Sequence, residues 1–230
     1  MKILIACESS GTVRDAFIKL GHDATSCDLL PSRTPGQHYQ SDVRDILGNG
    51  WDMLIAHPPC TYLTNSAVWA LGDGPYHQKV KPTTLVGAAR RHAQQEALAF
   101  FRMLWEASIP KICLENPIGI ANTVIGKPTQ IIQPHQFGED ASKNTCLWLR
   151  GLPPLLPTNP IAPRIVNGKP RWANQTDAGQ NKLSPHALRW QVRSQTYQGI
   201  ADAMAQQWTS PSAFARCSTP NPQSLSPQVP

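Results

Sequence analysis

A chain of 230 residues with 40% hydrophobic content can bury one substantial core and leaves little length for a second domain. The formal charge of +6 suits a polyanionic partner such as nucleic acid without demanding one. No apolar run reaches membrane-spanning length, which excludes a helical membrane protein, and Met1-Lys2 leads into a strand pattern with no secretory signal, so a cytoplasmic protein is expected. The six cysteines, at 7, 27, 60, 113, 146 and 217, form no CxxC pair and no Cys/His cluster at zinc spacing, so reduced thiols and no metal are expected.

Residues 2–7 predict a first strand that runs into Glu8-Ser9-Ser10-Gly11-Thr12. Val13, Ala16, Phe17 and Leu20 then recur at helical spacing, and Gly21 is a helix stop. In this strand, loop and helix, the backbone N–H groups at the helix start would receive a ligand's polar groups, unless the loop is a plain turn. A second strand, 22–27, ends at Asp28, which either accepts hydrogen bonds from ribose hydroxyls or caps a turn. Asp42 either reaches an adenine amino group or caps a short helix over 43–47.

The stretch Trp51-Asp52-Met53-Leu54-Ile55-Ala56-His57-Pro58-Pro59-Cys60 dominates the chain. Residues 53–56 read as a buried strand whose unbroken apolar run suits a parallel sheet covered on both faces. Pro58 and Pro59 have no N–H to donate and a fixed φ, so they end the strand and hold Cys60 at its carboxyl edge, where open α/β sheets bind ligands. Cys60 is then a candidate nucleophile or a structural thiol after an ordinary turn. A second strand end, Lys111-Ile112-Cys113-Leu114-Glu115-Asn116-Pro117, favours the nucleophile by offering a proton-handling carboxylate at the same edge.

Residues 61–84 show no periodicity, and a loop of this length predicts a lid over the thiol. Residues 88–105 predict a helix with Ala93, Ala97, Phe100, Phe101 and Leu104 inward. Arg90 and Arg91 lie near its start, on a solvated face or touching phosphates. The third core strand is expected over 110–114. Segments 129–132 and 145–149 predict two strands paired antiparallel at an edge. Residues 151–191 and the adjoining Arg193 interleave Trp172 and Trp190 with Arg164, Lys169, Arg171, Lys182 and Arg189, a composition for stacking on bases and touching phosphates, or for loop packing. One last helix is expected over 194–208, inward at Ile200, Ala203 and Met204. A Ser/Pro/Gln-rich disordered tail is expected over 209–230.

This order of features resembles the DNA (cytosine-5)-methyltransferases, especially compact, phage-like members. The resemblance is carried by Cys7-Glu8-Ser9-Ser10-Gly11-Thr12-Val13-Arg14, Asp28, Asp42, Pro58-Pro59-Cys60 and Glu115-Asn116-Pro117, with weaker matches over 143–149 and in the closing helix. It implies a Rossmann-like class I S-adenosylmethionine-dependent methyltransferase, an α/β fold with a mixed, mostly parallel sheet and helices on both faces. The catalytic domain would comprise 1–150 and 192–208, with 151–191 as a reduced target-recognition insertion. By the same resemblance Cys60 attacks carbon 6 of cytosine, Glu115 assists at ring nitrogen 3, Asn116 orients the Cys60 loop, and Lys143 serves the base. Ser10, Gly11 and Thr12 line the methionine end of S-adenosylmethionine, Asp28 holds its ribose and Asp42 its adenine, and Pro58 completes the cofactor wall.

The loop at 8–12 has fewer glycines than the family's, and Lys143 and Thr145 stand where the family has two arginines. The implied partner is DNA with its target base flipped out, with a separate protein for target recognition as a further candidate. Two alternatives keep the same residues: thiol-dependent carbon-5 chemistry on a pyrimidine nucleotide or RNA, and a non-catalytic nucleic-acid-binding relative. Amino-methyltransferases fit less well, because Cys60 stands where they carry an aromatic residue.

Overall fold

The computed structural model describes residues 1–184 and 189–210, apart from the side chain of Trp190. It is built on a seven-stranded sheet in the order β3-β2-β1-β4-β5-β7-β6. Strands β1 (Lys2–Ala6), β2 (Asp23–Asp28), β3 (His38–Gln40), β4 (Met53–Ala56) and β5 (Lys111–Asn116) pair in parallel. Strand β7 (Thr145–Arg150) runs antiparallel between β5 and the short edge strand β6 (Gln130–Ile132). This order, with a reversed strand inserted next to the edge, is that of the Rossmann-like class I S-adenosylmethionine-dependent methyltransferases. The chain thus has the expected fold. The two late strands do pair antiparallel, but β7 lies inside the sheet, because its apolar Cys146, Leu147 and Trp148 are buried on both faces.

The apolar run in β4 does what its composition requires: Met53, Leu54, Ile55 and Ala56 are all fully buried. Alternation in the pleat splits the core in two. Ile3, Ile5, Met53, Ile55 and Cys113 face helices α1 (Thr12–Lys19) and α5 (Gln198–Thr209) through Val13, Phe17, Ile200, Met204 and Trp208. Leu4, Leu54, Ile112 and Leu114 face α2 (Gly87–Glu106) through Phe101 and Leu104. Burying a side chain the size of Leu or Phe stabilises by about 1.5–3 kcal/mol, so the two clusters carry most of the driving force. No described helix is long and apolar enough to cross a membrane.

Several expectations are corrected. The third core strand runs on through Glu115 and Asn116, because pairing with β7 continues to Asn116↔Cys146. The 61–84 segment contains a 3-10 turn, Asn65–Leu71, kinked at Ala67. A short helix, α3 (Asn122–Ile125), follows β5. Within 151–191, Leu152 and Leu155 belong to the α1/α5 core, and Arg164–Val166 (β8) pairs with Lys169–Arg171 (β9) as a small ribbon. The closing helix does not start at Ser194: that residue ends α4 (Arg189–Ser194), and α5 begins only after an extended Tyr197, half-buried against the core. The break places Gly199 against the Phe137 carbonyl, where a Cβ would lie 1.8 Å from the oxygen. Of the expected tail, Thr209 ends α5, and residues 211–230 lie outside the described residues.

Candidate functional site

Strand register brings the two motifs together. Ala56 pairs with Leu114, so the next residues along, His57 and Glu115, stand side by side, as do Pro58 and Asn116. Side chains secure this pairing beyond the end of β4. Asn116 Nδ2 donates to the Pro58 carbonyl at 2.8 Å, and His57 Nδ1 lies 2.9 Å from Glu115 Oε2. Pro58, Glu115 and Asn116 are buried, and Cys60 is exposed at the loop they anchor. The Cys60 carbonyl accepts from the N–H groups of Leu63 and Thr64, which turns the chain tightly beyond the thiol.

The electrostatics of this edge differ from what covalent catalysis would seem to require at rest. Desolvation and the Glu115 carboxylate push the Cys60 thiol up, opposed by Lys143 and Arg193. Although the residue is exposed, its sulfur is crowded enough to lose solvation. Burial pushes the Glu115 carboxyl up, but the His57 hydrogen bond and the charge of Lys143 outweigh it and hold the group below the usual carboxylate range. At rest these influences favour Cys60 as a thiol and Glu115 as a carboxylate. Lys143 acts on both groups. Its backbone N–H is held by Gln133 Oε1 at 2.9 Å, in a loop closed by the capping box between Gln133 and Gln136.

The expected cofactor residues gather at the carboxyl ends of β1, β2 and β3. Burial first, then the charges of Asp28 and Asp42, raise the thiols of Cys7 and Cys27, and Cys27 is pushed to about 11. Asp28 Oδ1 accepts from the Leu30 N–H at 2.9 Å. Asp42 caps the turn Val43–Asp45 through the Arg44 N–H and pairs with the Arg44 guanidinium at 2.6 Å, which holds its carboxyl below the usual range. Ser10, Gly11 and Thr12 are buried. Gly11, with φ +77°, lies so close to the next loop that a Cβ would meet Thr34 Oγ1 at 2.1 Å.

The α1 amino end is not open to a ligand, contrary to expectation. The buried Glu8 carboxylate accepts from the N–H groups of Val13 at 2.7 Å and Arg14 at 3.2 Å, and from Ser10 Oγ at 2.9 Å. A fixed negative charge sits where dinucleotide-binding folds receive a phosphate. Asp28 at the end of β2 and Asp42 just past β3 are carboxylates placed to accept from the hydroxyl and amino groups of a nucleoside without phosphates, a class that includes S-adenosylmethionine.

Three residues of consequence had no assigned role in the sequence reading. Glu8 lies in the quoted loop, but only the return of the helix start reveals its partners. His57 directly precedes the prolines, and only the register with β5 reveals Glu115 beside it. Arg14 is fully buried and donates to Ser26, Ser32, Thr34 and the Pro35 carbonyl, so it locks the connection between β2 and β3 over the first loop.

Other basic and aromatic residues are engaged within the chain. Arg90 is buried, stacked over Tyr62 and aimed at the carbonyls of Leu85 and Thr61, while Arg91 bonds the Leu71 carbonyl and Asp73. The 61–84 loop is therefore docked on α2, and these arginines are its clamps. Trp172 stacks on His135 with ring centres 4.2 Å apart, so it packs the insertion against the Lys143 loop. Ser142 and Asn174 exchange two hydrogen bonds beside it. Among the described residues no group of three or more His, Cys, Asp or Glu is placed to hold a metal.

No family model matches the chain, and no curated protein matches it. Many solved chains are similar to part of it, two of them as follows. One is a prophage-encoded E. coli protein described as a DNA modification methyltransferase, 14% identical over 65% of this chain and 46% of its own, with a TM-score of 0.38. The other is a mutant of Spodoptera frugiperda DNMT2, 15% identical over 65% of this chain and 49% of its own, with a TM-score of 0.40. The chain spans about half the length of either.

Proposed function

We propose that the protein is an S-adenosylmethionine-dependent methyltransferase acting on carbon 5 of cytosine in DNA through a covalent Cys60 adduct. The observation that carries this is the cross-strand lock: Asn116 on Pro58 and Glu115 on His57 hold a thiol and a carboxyl group at one sheet edge, both within the field of Lys143. Simple binding of a nucleic acid requires neither group.

Carbon 5 of cytosine is a poor nucleophile until a nucleophile adds at carbon 6. The Cys60 thiol adds at carbon 6 as thiolate while its proton passes to Glu115, which presents it to ring nitrogen 3 as charge is pushed into the ring. Once carbon 5 has taken the methyl group and given its proton to solvent, the carbon–sulfur bond breaks and the thiolate leaves. The two groups are antagonists at rest, because a carboxylate beside the sulfur opposes its ionisation. Once Glu115 shares a proton with the base, that opposition falls, and Lys143 and Arg193 favour the thiolate. Base entry thus arms the nucleophile. Held by Asp28 and Asp42, S-adenosylmethionine would supply an electrophilic methyl group. Ser10, Gly11 and Thr12 line its methionine end, Asp28 and Asp42 take its ribose and adenine, and Pro58 walls the passage to Cys60. Asn116 keeps the Cys60 loop against β5.

The test is trapping. A duplex DNA oligonucleotide carrying 5-fluorocytosine, incubated with S-adenosylmethionine, is expected to form a denaturation-resistant adduct with the wild-type chain and none with Cys60→Ala. An equal adduct from the variant, or none from the wild type on any duplex or single-stranded DNA, refutes the proposal.

A further inference from the structure

His57 is absent from every role assigned above except as a neighbour, yet its surroundings are specific. Its side chain is 9% exposed, and its Nδ1 is 2.9 Å from Glu115 Oε2. Its Nε2 is buried with no hydrogen-bond partner among the described residues. These two facts select a tautomer. Glu115 as carboxylate can only accept, so the proton is on Nδ1. A proton on Nε2 as well would be buried without an acceptor, at the full cost of desolvating a donor. The imidazole therefore aims its Nδ1 proton at one oxygen of the carboxylate.

We propose that His57 is a positioning residue: by donating from Nδ1 to Oε2 it fixes the plane of the Glu115 carboxyl group and reserves Oε1 for the pyrimidine ring. This rests on the reading of Glu115 as the group that meets the base. A carboxyl near a strand end would otherwise rotate about its terminal bond, a broad and soft torsion. An Nδ1–H held by a backbone that is itself in register with β5 removes that freedom before substrate arrives, which is the preorganisation a proton-handling group needs. The other ionisable groups facing the pair are Lys143 from the 133–144 loop, Cys60 from the β4 exit, Cys113 on β5 and Cys146 on β7. Of these, only Lys143 also favours the ionised carboxyl.

The consequence is measurable on Glu115 itself. With the Nδ1 donor removed, burial is opposed by Lys143 alone and the Glu115 titration midpoint moves up. Carbon-detected NMR of the full chain labelled at glutamate side-chain carboxyl carbons, assigned with Glu115→Gln, reads this midpoint whether or not the protein is active. His57→Phe keeps a flat ring without a donor, and His57→Asn returns an N–H near the position of Nδ1. The expected result is an upward shift in the Phe variant and a return toward the wild-type midpoint in the Asn variant. An unmoved midpoint in the Phe variant overturns the proposal, as does an Asn variant that behaves like Phe while both give wild-type circular dichroism. If the Phe variant does not fold, Asn alone decides: a midpoint within error of the wild type supports the proposal, and one raised above it overturns it.

In the trapping assay, His57→Phe is expected to slow adduct formation roughly tenfold or more, the scale of one lost charge-assisted hydrogen bond, with unchanged S-adenosylmethionine affinity by calorimetry. Recovery in His57→Asn is expected. Absence of any adduct from the wild type would defeat the cytosine reading while the Glu115 midpoint still judged His57.

Discussion

Glu8 is the most exacting test of how the first loop is built. Its carboxylate answers two of the backbone N–H groups that every helix start leaves without intrahelical partners, those of Val13 and Arg14, and it does so 5% exposed. Replacing it with Ala removes a charged acceptor and leaves both N–H groups buried. A hydrogen bond to a charged group contributes about 1.5–3 kcal/mol and an orphaned buried donor costs about 1–3 kcal/mol. Relief of the carboxylate's own desolvation offsets part of this. The net expectation for Glu8→Ala is a loss of about 2–4 kcal/mol, or roughly 5–15 °C in Tm for a chain of this size. Glu8→Gln keeps one acceptor oxygen but turns an NH2 group toward a donor, so about half that loss is expected. Urea unfolding followed by circular dichroism measures both, with the slope of the transition as a check that the unfolded state has not changed. A Glu8→Ala variant within about 0.5 kcal/mol of the wild type, below the range for a lost helix cap, would refute the assignment. So would a Gln variant less stable than the Ala variant.

Two further outcomes follow from the thiol edge. Alkylation of Cys60 by iodoacetamide, measured in a Cys217→Ser background, should rise with pH to a midpoint above the 9.0 of an unperturbed thiol, since burial and Glu115 both raise it. Glu115→Gln should speed the reaction at fixed neutral pH, and an unchanged rate would show that the carboxylate does not act on the sulfur. Gly119→Ala should be destabilising by about 1–3 kcal/mol, because its Cβ would lie 1.9 Å from the Leu63 carbonyl that accepts from Ile120. A thermal melt at the wild-type temperature would contradict this close approach.

Much of this architecture was readable in the sequence, and what was missed has a common cause. Unbroken apolar runs at 3–6, 53–56 and 112–114 announce strands buried on both faces, and all three are. Prolines after 57 and 116 mark where strands yield to the loops that carry chemistry. Helix α1 declares itself through Val13, Ala16 and Phe17. Periodicity says nothing, however, about which polar side chain answers a backbone group forty residues away or at a loop's own far end. Glu8 on the α1 amino end, Asn116 on Pro58 and Arg14 across the 32–35 connection are long-range or loop-closing hydrogen bonds. They depend on strand order, not on local spacing. The same holds for Arg90 and Trp172, whose charge and ring suggested nucleic-acid contacts and whose partners are Tyr62 and His135. The break at Tyr197 was hidden because Ile200, Ala203 and Met204 keep helical spacing whether or not the helix extends upstream of them.

The strand order also explains why one sheet edge can serve two different ligands. From β1 the chain moves outward to β2 and β3, then returns to the other side of β1 for β4 and β5, so loops diverge in opposite directions between β1 and β4 and leave a crevice there. Glu8, Asp28 and Asp42 end strands or loops on the first side. Cys60, Glu115 and Lys143 belong to the second. In the proposed reaction the first set would hold the methyl donor and the second the pyrimidine ring, on either side of the β1–β4 boundary, where His57 N–H bonds the Ala6 carbonyl at 3.0 Å. That bond makes His57 part of both halves: its backbone is tied to the strand that presents Glu8, and its side chain is tied to the strand end that presents Glu115. A displacement of β4 by one residue would exchange inward and outward side chains along the strand and break both ties together, so the register that buries Met53 and Ile55 is also the register that assembles the chemistry.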